Sequence, residues 1–417
     1  MLLKLGKGMS MEAVKPLRVV APAAHTESGG GFLPRINRAL RIAPLALCAA
    51  LALPFAARGE TWYNTRVNNG NDTAVADTCL VGNPGLWTNS VGEAATSFNT
   101  EDTYVVSGGQ QLRMGNVADL RTFAGGTMRF GRNGTAGNFY YDNFYALSFP
   151  YGLILDRGSI SFSYSVGTGS VRIGGVFNGG RITVTATEEN PFSVYSIYQN
   201  RIVVINNDLA TESDSNVLSI GGSAMNSVYF VMGDLSGYTG CIVANCTSSS
   251  NVRWATRLCF GNRTMPGTIQ VKGKAAISAR SGVLTGPKYA DTMPAYSPSV
   301  FTVGSLQMES GSVICVEGRN KTTTQAATNG LIRVSTAFSA SRPVYVKPSW
   351  AVEVTKENPD VTVLTVPASQ GLDKTDFTLD TTGLTLPQEL ALDVRSEGAV
   401  KKLVITKKGM GLAIFVR

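Results

Sequence analysis

From residue 60 onward the apolar positions alternate with polar ones in short runs and show no convincing 3.6-residue period. TYVVSG, GGTMRFG, LILDRGSISFSYS, GSVRIGGVF, GGRITVTAT, NRIVVINN, GTIQVKGKAAISA and GSLQMESGSVICVEG share this texture. Alternation at a period of two, with Val, Ile, Thr and aromatics enriched, predicts strands with one buried face. The Gly and Asn residues between the runs supply the turns. The predicted class is all-β.

The spacing of these runs bears on how the strands are arranged. GRITVTAT, RIVVINN, NVLSIGG and SVYFVMG start roughly 11 to 21 residues apart, on the scale of the coils of a repeating β-structure. Each coil of such a structure buries its inward side chains only by stacking on its neighbours, and its ends need caps. The expected architecture is a right-handed parallel β-helix (β-solenoid). Paired β-sandwiches or a jelly roll are the alternative, since frequent short strands also suit them.

GDLSGYTGCIVAN (233–245), FGNRTMPGTIQVKGKAAISA (260–279) and VGSLQMESGSVICVEG resemble the degenerate repeats of autotransporter passenger-like, Gly/Asn-rich secreted bacterial proteins. The opening TWYNTRVNNGNDTAVADTCLVGNPGLWTN, followed by DTYVVSGGQQLRMG, is similar to their N-terminal pattern. It places Trp62 and Trp87 ahead of an Asp-led strand and a Gly-Gly turn. The resemblance spans about residues 60–340. It implies a secreted or cell-surface repeat protein and carries no catalytic residue.

Residues 1–59 have a different character. RINRALRIAPLALCAALALPFAARGETW has a basic flank (Arg35, Arg38, Arg41), an apolar stretch from Ile42 to Ala57 and small residues before Glu60, the layout of a secretory signal peptide with a long n-region. Met9 or Met11 as the true start would shorten that region. The apolar run falls short of the ~20 residues a membrane span requires. Domains are therefore expected at 1–59 (signal peptide), 60–100 (N-terminal β cap), 101–340 (coiled β body) and 341–417 (antiparallel C-terminal cap). After Pro343 the chain gains Lys, Asp, Glu and Pro, and its strands are separated by longer polar turns. The ending LVITKKGMGLAIFVR reads as a hairpin turning at Lys407-Lys408-Gly409. No run of long alternating strands there suits a transmembrane barrel.

Charge and composition narrow the chemistry. Of the formal +8, residues 1–59 contribute eight basic groups against Glu12 and Glu27, a net +6, which leaves +2 for the rest. That balance provides no footprint for nucleic acid. The only histidine is His25, so residues 60–417 have no imidazole for a catalytic triad, a general base or a His-based zinc site. Beyond Cys48, the cysteines Cys79, Cys241, Cys246, Cys259 and Cys315 form an odd, scattered set suited to buried positions on strands, although one nearby pair, such as Cys241 or Cys246 with Cys259, could oxidise in an exported protein.

Carboxylates are the remaining candidates for catalysis. Glycoside hydrolysis needs two acids about 5 to 9.5 Å apart. Glu188-Glu189, Asp208, Glu212 and Asp214 form one group, and Glu309 and Glu317 another, with the second pair expected as solvated outer-face charges. NNDLATESDSN lacks the order of a calcium loop, and VGTGSVRIGG lacks the ending of a phosphate loop. Arg253, Trp254, Arg257 and Arg263 mix cations with an aromatic, and snorkelling side chains are expected there.

NFYYDNFYALSFPYG (138–152) holds seven Tyr or Phe, more than one face of an alternating strand can bury. Tyr140, Tyr141 and Tyr145 are the expected binding residues, suited to carbohydrate or to a cell-surface protein. No catalytic residue, metal ligand or cofactor is assigned. The expectation is a secreted or cell-surface, adhesion-type or structural protein, with a His-independent polysaccharide lyase or glycoside hydrolase of β-helix type as the alternative.

Overall fold

The computed structural model describes residues 59–64, 84–108, 111–114, 121–141, 146–162, 172–197, 201–222, 227–246, 256–282, 296–322 and 325–409. Among them the protein is nearly all β, as the alternation predicts, and its three large sheets are built mainly from parallel pairs. The first sheet runs Thr61–Asn64, Thr103–Val106, Thr127–Phe130, Leu153–Leu155, Arg181–Val184 and Asp208–Thr211, with Trp87–Thr88 antiparallel on its outer edge. The second runs from Gln111–Met114 through Gly137–Tyr141, Gly158–Phe162, Phe192–Ser196, Val217–Gly222 and Cys241–Cys246, then through Thr264–Val271, Val300–Met308, Leu331–Ala340 and Asp360–Pro367. The third runs from Arg121–Thr122 through Ala146–Ser148, Arg172–Asn178, Arg201–Ile205, Ser227–Val231, Thr256–Phe260, Ala275–Gly282, Val313–Val316 and Val344–Pro348 to Phe377–Leu379.

Between Thr127 and Val231 each sheet takes every third strand of the chain. First-sheet strands start at Thr127, Leu153, Arg181 and Asp208, and each pairs in parallel register with its predecessor. Such ladders differ from the antiparallel pairing of the β-sandwich alternative. The first sheet ends at Asp208–Thr211, beyond which a single bridge joins Ala210 to Gly237. From there the second-sheet strands lengthen to eight, nine and ten residues, and register shifts bend them between Met265 and Thr268 and between Val303 and Ser305. Pro266, Gly267 and Gly304 occupy these bends. A Cβ on Gly304 would lie 1.9 Å from the Pro266 carbonyl oxygen, so glycine is required by the approach of the adjacent strand.

Inward side chains from all three sheets form one core. Its N-terminal half is filled by rings: Phe130 and Phe139 lie 5.8 Å apart, Phe139 and Phe177 6.3 Å, and Phe162 and Phe177 5.6 Å. Each fully buried ring contributes about 1.5–3 kcal/mol over an exposed one. The C-terminal half uses mostly Val, Ile and Leu, with Phe260 stacked on Phe301 at 4.2 Å. Tyrosines within the core keep their hydroxyls bonded. Tyr104 Oη accepts from the Asn99 amide at 2.9 Å, Tyr229 Oη accepts from the Ser196 amide at 2.8 Å, and Tyr238 Oη donates to the Cys241 carbonyl at 3.0 Å.

Buried asparagines hold the turns. Asn216 Nδ2 donates to the carbonyls of Thr185 and Ala186, about thirty residues earlier, while its Oδ1 accepts from the amides of Glu212 and Ser213. Asn207 does similar work, with Nδ2 bonded to the carbonyls of Gly179 and Gly180. Both side chains therefore satisfy backbone groups that a turn leaves without ladder partners.

At the N-terminal end Trp62 donates to Asp102, and Trp87 packs edge-on against Tyr104 at 5.2 Å. At the other end, parallel pairing continues across Ala340, where the change in composition places a boundary. It reaches Asp360–Pro367 and Phe377–Leu379, and residues 58–417 group as one compact unit. Antiparallel pairing begins with Val400–Lys407, which joins Asp360–Pro367 on one side and Leu390–Glu397 on the other. Of the expected turn, Lys408 and Gly409 lie in a turn while Lys407 is the last residue of the strand, and the predicted closing strand at Leu412–Val416 falls outside the described residues. The edge strand carries Asp393, Arg395 and Glu397, with Arg395 paired to Asp360 and Lys402 to Glu397, charges that discourage further strand addition. No helix among the described residues is long and apolar enough to cross a membrane.

Candidate functional site

The outer face of the second sheet brings most of the candidate chemistry together. Phe139, Ile160, Phe192, Val194 and Leu218 point into the core, so the residues between them point outward. In register across four strands stand Asn138, Ser159, Ser193 and Ser219, and Ser159 Oγ donates to Asn138 Oδ1 at 2.9 Å. The row continues through Val243, Gln270, Gln307 and Ser339. Two residues along, Tyr140, Ser161 and Tyr195 form a second outward row on three adjacent strands. The first row is uncharged, while the second continues past Tyr140 to its register partner Arg113 on the neighbouring strand.

Of the three tyrosines expected to bind, Tyr140 lies on this face, half-buried. Tyr141 is the last residue of its strand and its side chain lies outside the described residues, as does the whole of Tyr145. The residue that the sequence did not single out is Tyr195, in FSVYS. Its alternation placed it outward, but nothing local placed it in register with a residue 55 positions earlier.

Further along the same face, Glu188, Glu189 and Asp214 line an open depression of about 500 Å³ together with Thr187, Ser215, Cys241 and Gln270. Three of the five carboxylates grouped in the sequence thus share one place. Asp208 is on another corner, where its Oδ1 accepts from the Asp234 amide at 2.8 Å, and Glu212 lies in the turn organised by Asn216. Burial pushes the Cys241 thiol up to about 11, with Lys272 opposing the shift and Glu188 adding to it. Among the described residues no group of three His, Cys, Asp or Glu side chains is placed to hold a metal ion.

The second acidic pair is separated, and one member is not solvated. Glu317 is buried, with Oε1 2.6 Å from Arg280 Nη1 and 3.3 Å from Arg257 Nη1, a correction to the expected outer-face charge. The reason is that the third sheet from Ile202 to Glu317 is buried on both faces. Val204, Phe230, Cys259, Ala276 and Val313 on its outer side are as covered as the core residues between them. Two guanidiniums on one carboxylate offset the cost of burying its charge. Arg257 is therefore an ion-pair residue and not a snorkelling one, while Arg263 Nη2 donates to the Met232 carbonyl at 2.7 Å. Arg253 and Trp254 lie outside the described residues.

Cys241, Cys246, Cys259 and Cys315 are all free thiols, so the Cys259 pairing weighed from the sequence is not formed. Burial raises Cys259 to about 12 and also raises Cys315, which makes both poor nucleophiles at neutral pH. Compared with known proteins, the chain matches no family model and no curated protein, so no residue role carries over from a relative.

Proposed function

We propose that the chain is a secreted or cell-surface protein of the autotransporter-passenger-like kind, built as a right-handed parallel β-helix, whose outer face and loops contact glycan or protein without catalysis. The observation that carries this reading is the second sheet. Its parallel strands repeat in register and set an uncharged row of Asn138, Ser159, Ser193 and Ser219 outward, one strand apart. A stack of coils turns a short polar motif into an extended platform of fixed spacing, which suits contact with a repeating or broad partner. The buried thiols and the Arg-paired Glu317 lend weight to a structural role for the third sheet.

The experiment is fractionation of cells expressing the full chain, with protease treatment of intact cells and N-terminal sequencing of the exported product. The reading predicts an extracytoplasmic product that begins near Glu60 and is digested from outside. Retention in the cytoplasm with residues 1–59 intact contradicts it.

A second reading rests on the depression lined by Glu188, Glu189 and Asp214. A pair of these carboxylates would serve a β-helix glycoside hydrolase or lyase. Reducing-sugar release from a panel of polysaccharides, lost in E188Q and D214N, favours this reading; no turnover on the panel favours the contact protein.

A further inference from the structure

Ser161 stands between two tyrosines on the outer face of the second sheet. The register pairs Tyr140 with Ser161 and Ser161 with Tyr195, so the tyrosines are two strands apart, about 9–10 Å between backbones. Ser161 is fully buried beneath this row, and its Oγ has no hydrogen-bond partner. On the far side of Tyr195 the chain has Gly222, where an added Cβ would lie 3.1 Å from the tyrosine Cβ. The ring therefore flanks a glycine on one side and the serine on the other.

The small, covered Ser161 separates two half-buried aromatic rings, next to the uncharged amide and hydroxyls of Asn138, Ser159 and Ser193. Aromatic faces accept the apolar C–H faces of a sugar ring. The adjacent row of Asn138, Ser159 and Ser193 accepts from and donates to its hydroxyls.

We propose that Tyr140, Ser161 and Tyr195 form a binding subsite for one pyranose ring of a neutral polysaccharide, with the chain continuing along the Asn138–Ser159–Ser193 row. This rests on the reading of the chain as a contact protein and names its ligand class. The tyrosines supply stacking surface, Ser161 is the small residue that separates them, and the uncharged row of Asn138, Ser159 and Ser193 supplies the hydrogen bonds that orient a neutral ring.

The test is native affinity electrophoresis of the full chain in gels containing xylan, laminarin, glucomannan or hydroxyethyl cellulose, with polygalacturonate as the anionic comparison. At least one neutral polysaccharide should retard the wild-type chain. Y140A and Y195A should each weaken that interaction by up to about tenfold, from loss of one stacking contact. Y140F and Y195F should retain it, and S161A should weaken it less than either alanine. As a readout that needs no variant, the near-UV tyrosine circular dichroism of the wild-type chain should change on addition of the retarding polysaccharide. Retardation by polygalacturonate alone, or by none of the neutral polymers, overturns the proposal. Retardation that is equal in wild type and the Y140A/Y195A double variant, with an unchanged far-UV spectrum, also overturns the subsite but leaves the contact function standing. Failure of export, by contrast, overturns the contact reading itself.

Discussion

Trp62 Nε1 donates to Asp102 Oδ2 at 2.7 Å, joining the first described strand to the start of its parallel neighbour across forty residues of chain. The other carboxylate oxygen accepts from the Glu60 amide, also at 2.7 Å. Asp102 is thus a buried acceptor whose two oxygens hold the first described strand against its parallel neighbour. D102A leaves an indole N–H and a backbone N–H without their acceptor and should cost about 2–4 kcal/mol, whereas W62F, which removes one charge-assisted bond, should cost about 1.5–3 kcal/mol. Denaturant unfolding of both variants checks the order.

Asn216 provides a second test of how segments distant in the chain are held together. Its side chain satisfies two amides of its own turn and the carbonyls of Thr185 and Ala186. N216A should destabilise the chain by about 1–3 kcal/mol, because the Thr185 and Ala186 carbonyls and two turn amides lose their side-chain partner. N216D should be intermediate, since the carboxylate keeps the two amide bonds and loses both donations. A melting temperature unchanged in N216A would show that the turn does not depend on it.

Close approach at the corners predicts a sharp contrast between glycines. Gly158 has φ +131° and sits where a Cβ would be 1.9 Å from the Gly137 carbonyl oxygen. G158A combines backbone strain with a clash and should cost ~3 kcal/mol or more. Gly371 has nothing within 4 Å of an added Cβ, and G371A should change stability by no more than about 0.5 kcal/mol. Parallel thermal melts separate the two.

Stability should fall on the alkaline side. Burial raises the hydroxyls of Tyr104, Tyr229 and Tyr238 above their ordinary value of 10.0, and raises the thiols of Cys241, Cys259 and Cys315 above 9.0. Each of these groups is held neutral in the folded state at pH values where the unfolded chain ionises it. The folded state therefore binds more protons than the unfolded one above about pH 9, and stability decreases as pH rises, by up to ~1.4 kcal/mol per pH unit for each group. With no histidine after His25, the melting temperature should vary little between about pH 6 and 8 and drop progressively above pH 9. An equally steep loss near pH 6.5 would contradict this.

The strands themselves were legible because alternation is a local property: GSISF and FSVYS each show which residues face inward. The glycine and asparagine turns were legible for the same reason. The pairing of Trp62 and Trp87 with an Asp-led strand was visible as a pattern, and Asp102 and Tyr104 give it physical content. What local pattern does not contain is register between strands distant in the chain. Tyr140, Ser161 and Tyr195 become neighbours only because successive second-sheet strands align at Gly137, Gly158 and Phe192. Glu317 read as a surface charge because its partner Arg257 is sixty residues away and the outer cover of the third sheet leaves no local signature.

Register is therefore where the account is most exposed, and cross-linking measures it directly. Ser193 and Ser219 are register partners on adjacent parallel strands, both outward. The introduced thiols of S193C/S219C should sit within the separation a disulfide spans and oxidise readily in the folded chain. S193C/I220C places the second thiol one residue on, facing the core, and should not cross-link. The comparison is made in a background with the native cysteines replaced by serine or alanine. Rapid oxidation of the first pair alone is the predicted result; cross-linking of the second pair in preference to the first, or of neither in a folded chain, would contradict the stacked parallel arrangement.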